Sequence, residues 1–160
     1  MNRSENMSGR GSEGRSLSDD LESMLALLSE GKISDARELS DSILERSRSA
    51  SERNHAIEAR VRIERALIGA VPEEMIGAEL RWCVDRLNAI SSGSSVHGLA
   101  LLNLATWHAN RGELMMALAT HSEISINNGH PLDINSLSRL EVGRIPVSYT
   151  HLTLPTNGTV

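Results

Sequence analysis

Glycines divide most of this chain into segments whose apolar residues recur with the period of an α-helix. In the first segment, from Leu21 to Leu28, apolar residues stand at i, i+3, i+4 and i+7, and Gly31 follows. That spacing places them on one helix face, and a glycine just beyond is typical of a left-handed helix end. Gly69 and Gly112 follow comparable segments. Because no segment before residue 146 alternates apolar and polar residues, the sequence predicts an all-α fold.

The same three glycines indicate a repeat. They lie 38 and 43 residues apart, and longer polar stretches separate the segments that they do not join. A repeat of this length built from two helices is typical of an α-solenoid, in which neighbouring helix pairs stack. We therefore predict an α-solenoid of antiparallel helix pairs over 17–48, 51–91 and 95–127, with a partial repeat at 133–145.

Small residues near two of the glycines resemble those of the tetratricopeptide (TPR) family. Gly31 is followed five residues later by Ala36, and Gly112 is followed at the same distance by Ala117. The family places a turn glycine and a small residue at this spacing, although Gly69 lacks such an alanine and the repeats exceed 34 residues. The resemblance covers about 17–145 and implies a TPR-like array. The residues that it assigns to repeat packing are Gly31, Ala36, Gly69, Gly112, Ala117 and Gly143.

The last fifteen residues do not continue this pattern. They read PVSYTHLTLPTNGTV, in which Pro146 ends an amphipathic segment and residues of high strand propensity follow. From Pro146 to Thr156 the peptide resembles the translation of a transposase-type sequencing adapter. The resemblance implies that 146–160 is an artefactual, adapter-derived tail, and that the natural chain is truncated and continues differently beyond Ile145.

Composition and charge exclude several classes of protein. The 21 acidic and 16 basic residues give a net charge of -5 without a basic block, which argues against nucleic acid or an anionic membrane as partner. Residues 1–16 are polar and lack the apolar stretch of a signal peptide, so we expect a disordered leader and a cytoplasmic protein. No apolar run approaches the ~20 residues that span a bilayer.

We find no catalytic or metal-binding motif in the sequence. The six histidines lack the spacing of zinc ligands, and we interpret them as polar residues on helix surfaces or in a groove. Cys83, the one cysteine, has no base suggested by its surroundings and is interpreted as a structural thiol. We therefore expect no catalytic residue, no cofactor and no metal, and we do not expect this chain to be an enzyme.

A few residues are candidates for a peptide-binding groove. Arg60 and Arg62 alternate with glutamates, a pattern that favours i, i+4 pairs within one helix but also suits the clamping of a ligand carboxylate. Trp107 and its neighbour His108 are further candidates, because tryptophan is enriched at binding hot spots. The alternative for Trp107 is that it fills the gap between stacked helix pairs.

The sequence favours a non-enzymatic module that binds a protein or peptide in the concave groove of a solenoid. The resemblance implies the N-terminal sensory or interaction region of a longer bacterial signalling protein. The alternative is a fragment of a GGDEF-type diguanylate cyclase, or of a kinase or transcription regulator, whose output domain is missing. The oligomeric state stays open.

Overall fold

The computed structural model describes residues 15–51 and 53–145, and every regular element within these ranges is helical. The expected all-α fold is thereby confirmed, whereas the solenoid arrangement stays a prediction. Most of the predicted leader and all of the tail 146–160 lie outside the described residues. A 3-10 turn at Ile126–Asn128 stands between the last two α-helices. The α-helices are α1 (Leu17–Ser29), α2 (Ile33–Ser49), α3 (His55–Leu67), α4 (Glu73–Ser91), α5 (Ser95–Asn110), α6 (Leu114–Ser122) and α7 (Leu132–Gly143).

The glycines that end helical segments adopt the backbone conformation that the sequence predicts. Gly31, Gly69 and Gly112 have φ angles of 78°, 71° and 76°. This left-handed region is accessible to glycine at little cost. At the first turn the N–H of Lys32 donates to the carbonyl of Leu27, a bond that closes the end of α1.

The chain divides after Ala70 into two compact units. In the first unit α1 and α2 pack against each other, and α3 contacts both. The predicted second repeat, 51–91, contains the boundary between the units, and the pairing of its two helices stays a prediction. The buried core of the first unit consists of Met24, Ala36, Ile43, Leu44 and Val61.

In the second unit α5 is the central helix, because it contacts α4, α6 and α7. α7 also contacts α6. None of the helices within the described ranges is both long and apolar enough to cross a membrane. Fully or nearly fully buried side chains of this unit include Leu80, Cys83, Leu87, Leu101, Leu104 and Ala117.

Candidate functional site

The two arginines proposed for a groove are both paired within α3. Arg60 Nη2 lies 2.9 Å from Glu64 Oε1, and Arg62 Nη2 lies 2.9 Å from Glu58 Oε1. The i, i+4 interpretation of the arginine pattern is therefore confirmed. A ligand carboxylate at either guanidinium would have to compete with a glutamate that is already in place.

Glu58 is the centre of a buried charge cluster. Its carboxylate is fully buried and accepts hydrogen bonds of 2.6 Å from both Nε and Nη2 of Arg53. Arg62 Nη2 donates to the same carboxylate at 2.9 Å, and Arg48 Nε lies 4.0 Å away. Burial raises the pKa of Glu58, but the hydrogen bonds from Arg53 and Arg62 outweigh it and lower the pKa from 4.5 to about 2. The Glu58 carboxylate therefore stays ionised at neutral pH, and its ion pairs with the arginines hold the start of α3 in place.

The other two groove candidates lie in the second unit. The ring of Trp107 covers Gly77 of α4 so closely that a Cβ there would stand 2.4 Å from Trp107 Cη2. Trp107 thus fills the space between α4 and α5, and the Arg111 guanidinium lies 4.8 Å from its ring centroid. His108 is buried, and within the described chain neither of its ring nitrogens has a hydrogen-bond partner. Glu113 Oε2 lies 3.7 Å from His108 Nδ1.

Of the two placements expected for the histidines, on helix surfaces or in a groove, the surface placement is wrong for four of the five that the structure describes, and the groove placement stays a prediction. The buried ones are His97, His108, His121 and His130. For His97, His108 and His121, the sequence signal that could have indicated this is their position among apolar and small residues on α5 and α6; His130 lies in the loop before α7 and has no such signal. Two of these histidines meet each other, and a third meets α7.

His97 and His130 form a stacked, hydrogen-bonded pair. Their ring centroids are 5.0 Å apart, and His130 Nε2 lies 3.1 Å from His97 Nδ1. The N–H of Ser125 donates to His130 Nδ1, so a neutral His130 carries its proton on Nε2 and donates it to His97. The N–H of Gly93 donates to His97 Nδ1 as well. Both rings therefore accept from the backbone and fasten the loop before α7 to the start of α5.

His121 joins α6 to α7 through two residues one turn apart. Its Nδ1 lies 2.9 Å from Ser138 Oγ, and its Nε2 lies 3.5 Å from Glu141 Oε2. Thr106 of α5 lies 2.9 Å from the same carboxylate oxygen. Cavities of about 310 and 360 Å³ adjoin His121.

Serine, histidine and glutamate also occur together in the active sites of hydrolases. Ser138, however, is buried in the middle of α7. The backbone N–H groups there bond within the helix, so they cannot stabilise an oxyanion.

The buried histidines predict a loss of stability in mild acid. Burial and the neighbouring His130 lower the pKa of His97 from 6.5, and burial lowers that of His121 against the opposing charge of Glu141. The unfolded chain therefore binds protons that the folded chain does not. The contribution of these two neutral histidines to the free energy of unfolding is fully present above pH 6.5 and is lost as the pH falls below that value. We expect the urea midpoint, followed by circular dichroism, to decrease between pH 7.5 and 5.

Two variants test the source of that decrease. His97→Asn keeps an acceptor near the Nδ1 position without a titrating ring and should weaken the dependence on pH. His55→Gln replaces a part-buried histidine of the first unit and should keep the dependence that His97 and His121 cause. Equal urea midpoints at pH 5.5 and 7.5 in the unaltered protein would contradict this account.

The outer face of α7 carries exposed apolar side chains. Leu137 and Leu140 are 48% and 54% exposed, and their i, i+3 spacing makes them neighbours on the helix surface. The side of α7 that carries Ile134, Asn135 and Ser138 is buried. An apolar pair with this spacing, on a helix that is already packed on its other side, is typical of a surface that receives a second helix.

Within the described ranges, no group of three or more histidine, cysteine, aspartate or glutamate side chains is placed to hold a metal ion. Comparison of the chain with protein-family models, with curated proteins and with solved structures finds no match.

Proposed function

We propose that this chain is a non-enzymatic helical module that binds a protein, and that the outer face of α7 is its contact surface. The observation that carries the proposal is the exposure of Leu137 and Leu140 on a helix that packs against α5 and α6. The partner that suits this surface is an amphipathic helix, because helices recognise each other through apolar residues at i, i+3 and i+4. Catalysis forms no part of the proposal.

The proposal includes a TPR-like stacking of helix pairs. What supports it is local: Ala36 and Ala117 are both fully buried, each five residues after a left-handed glycine. A small residue at that position lets two helices approach closely. The arrangement of successive pairs into a solenoid is inferred from the resemblance and the repeat length.

We also propose that the module belongs to a longer bacterial signalling protein as its N-terminal sensory or interaction region. The resemblance of the repeats and of the tail is what supports this. Sequencing the gene beyond the codon for Ile145 tests it. A diguanylate cyclase, kinase or DNA-binding domain downstream would support a sensory region, whereas a stop codon after one further helix would support an independent adaptor.

A designed peptide tests the binding surface directly. The probe is a synthetic amphipathic helix with leucines at i, i+3, i+4 and i+7 and glutamates at the flanks. Titrated into the ¹⁵N-labelled full chain, it should shift the amide resonances of α7 more than those of other helices. Leu140→Glu places a charge in the apolar contact and should weaken binding by roughly tenfold or more.

The matched control is Leu67→Glu, which changes a leucine of α3 with 55% exposure. It should leave the affinity for the peptide unchanged. If both variants bind as well as the unaltered chain, or if the shifted resonances lie elsewhere, the outer face of α7 is not the binding surface.

A further inference from the structure

The outer face of α7 carries charges at both ends of its apolar pair. Asp133, Leu137, Leu140 and Arg144 stand at i, i+4, i+7 and i+11, the spacing of the contact line in a two-stranded coiled coil. All four side chains are exposed. Arg144 keeps right-handed helical backbone angles just beyond the last residue of α7, and its N–H donates to the carbonyl of Glu141, three residues back, so the line reaches Arg144 in a last turn that is tighter than the rest of the helix.

The order of these four residues is complementary to its own reverse, because an acidic residue stands at one end, a basic residue at the other, and two leucines lie between them. The acidic and basic ends are eleven residues apart, about 16 Å along a helix, and the two leucines lie between them. The midpoint of the charged pair coincides with the midpoint of the leucine pair, between Ser138 and Arg139. A second α7 laid antiparallel on the first therefore meets Asp133 with Arg144 at both ends and leucine with leucine between, in one register.

We propose that two copies of this chain associate through an antiparallel pairing of their α7 helices around a two-fold axis between Ser138 and Arg139. A two-fold contact uses the same patch on both copies, and this patch is complementary to itself. The inference rests on the proposed function for its contact surface and goes further by naming the partner.

The pairing explains why this face combines leucines with opposite charges. A parallel copy would oppose Asp133 with Asp133 and Arg144 with Arg144, which like-charge repulsion disfavours. The antiparallel copy makes two opposite-charge pairs. Because one helix-to-helix contact is small, we expect a weak dimer whose population rises with protein concentration and falls as salt screens the exposed charges.

Charge reversal in the full chain tests the pairing. Sedimentation equilibrium over a concentration series should show dimer for the unaltered protein. Asp133→Arg and Arg144→Asp should each weaken association by roughly tenfold or more, because each places like charges together at both ends of the contact. An equimolar mixture of the two variants should associate again, since one copy then contributes only positive charges and the other only negative ones.

Asp85→Arg is the matched control, because it makes the same charge change at an exposed position of α4. It should leave association unchanged. Recovery in the mixture also shows that both single variants are folded. A monomeric unaltered chain, a dimer insensitive to both reversals, or a mixture that stays monomeric would each overturn the antiparallel pairing.

The outcomes separate this inference from the proposed function. A monomeric chain that still binds the designed amphipathic peptide at α7 overturns the self-pairing alone. A chain that neither associates nor binds the peptide overturns both. A dimer that the peptide dissociates, and that Leu140→Glu also abolishes, supports both.

Discussion

Replacing Glu58 with alanine is expected to lower the free energy of unfolding of the first unit by about 3–5 kcal/mol, the usual loss when one partner of a buried ion pair is removed. The carboxylate is fully buried and accepts hydrogen bonds from both Arg53 and Arg62. Without it, the guanidinium groups of Arg53 and Arg62 lose the carboxylate that they share, and the Arg62 side chain is itself almost buried. Urea unfolding followed by far-ultraviolet circular dichroism measures the loss.

An exposed ion pair provides the control. Lys32 and Glu30 lie 2.9 Å apart with side chains 57% and 54% exposed, and pairs as exposed as this one contribute little to stability. Glu30→Ala should therefore change stability little. A loss in Glu58→Ala no larger than that would show that the cluster does not stabilise the fold.

The pH dependence of Glu58→Gln checks the electrostatic origin of the effect. The pKa of Glu58 is lowered from 4.5 to about 2, so its charge stabilises the folded chain above pH 4.5, and the contribution is lost as the pH falls toward 2. The difference in stability between the unaltered chain and Glu58→Gln should shrink over that range. A difference that stays constant would assign the effect to packing instead of charge.

The second large effect is expected at Gly93, where the chain passes very close to another loop. Gly93 has a φ of 82°, and a Cβ there would lie 2.2 Å from the backbone oxygen of Asn128. Gly93→Ala therefore combines left-handed strain of about 1–2 kcal/mol with overpacking of about 1–3 kcal/mol. Displacement of the loop would also disturb the bonds at His97. Urea unfolding should show a total loss of about 2–5 kcal/mol.

Gly112→Ala separates the two causes. Gly112 has nearly the same φ, 76°, but a Cβ there meets nothing within 4 Å. This variant should lose only the cost of the left-handed conformation, about 1–2 kcal/mol. Equal losses at the two positions would mean that the loop of Asn128 yields without cost.

The helices and their ends could be predicted from the sequence because the signals are local. Apolar spacing along α1 and the glycine after it depend only on residues close in the chain, so Gly31 could be assigned its left-handed turn. The choice of helix partners depends on contacts between distant residues, and the sequence contained no measure of them. The division of the chain after Ala70 was for that reason not predicted.

The candidate site was predictable only in part, for the same reason. The pairing of Glu58 with Arg62 follows from their i, i+4 spacing. Its second partner, Arg53, precedes α3, and its position depends on a loop conformation that no helical pattern encodes. Likewise, His97 and His130 are 33 residues apart, and only the folding of the loop before α7 onto α5 brings them together.

The distribution of the tryptophans provides an optical separation of the two compact units. Trp82 and Trp107 are the only tryptophans of the chain, and both belong to the unit that follows Ala70. Trp107, packed on Gly77, is only partly exposed, so its fluorescence emission maximum should shift to longer wavelength when that unit unfolds. Tryptophan fluorescence then reports the unfolding of one unit, and circular dichroism reports the unfolding of both. If the two unfolding curves from one denaturation do not coincide, the units unfold in separate transitions, and no added label is needed to see this.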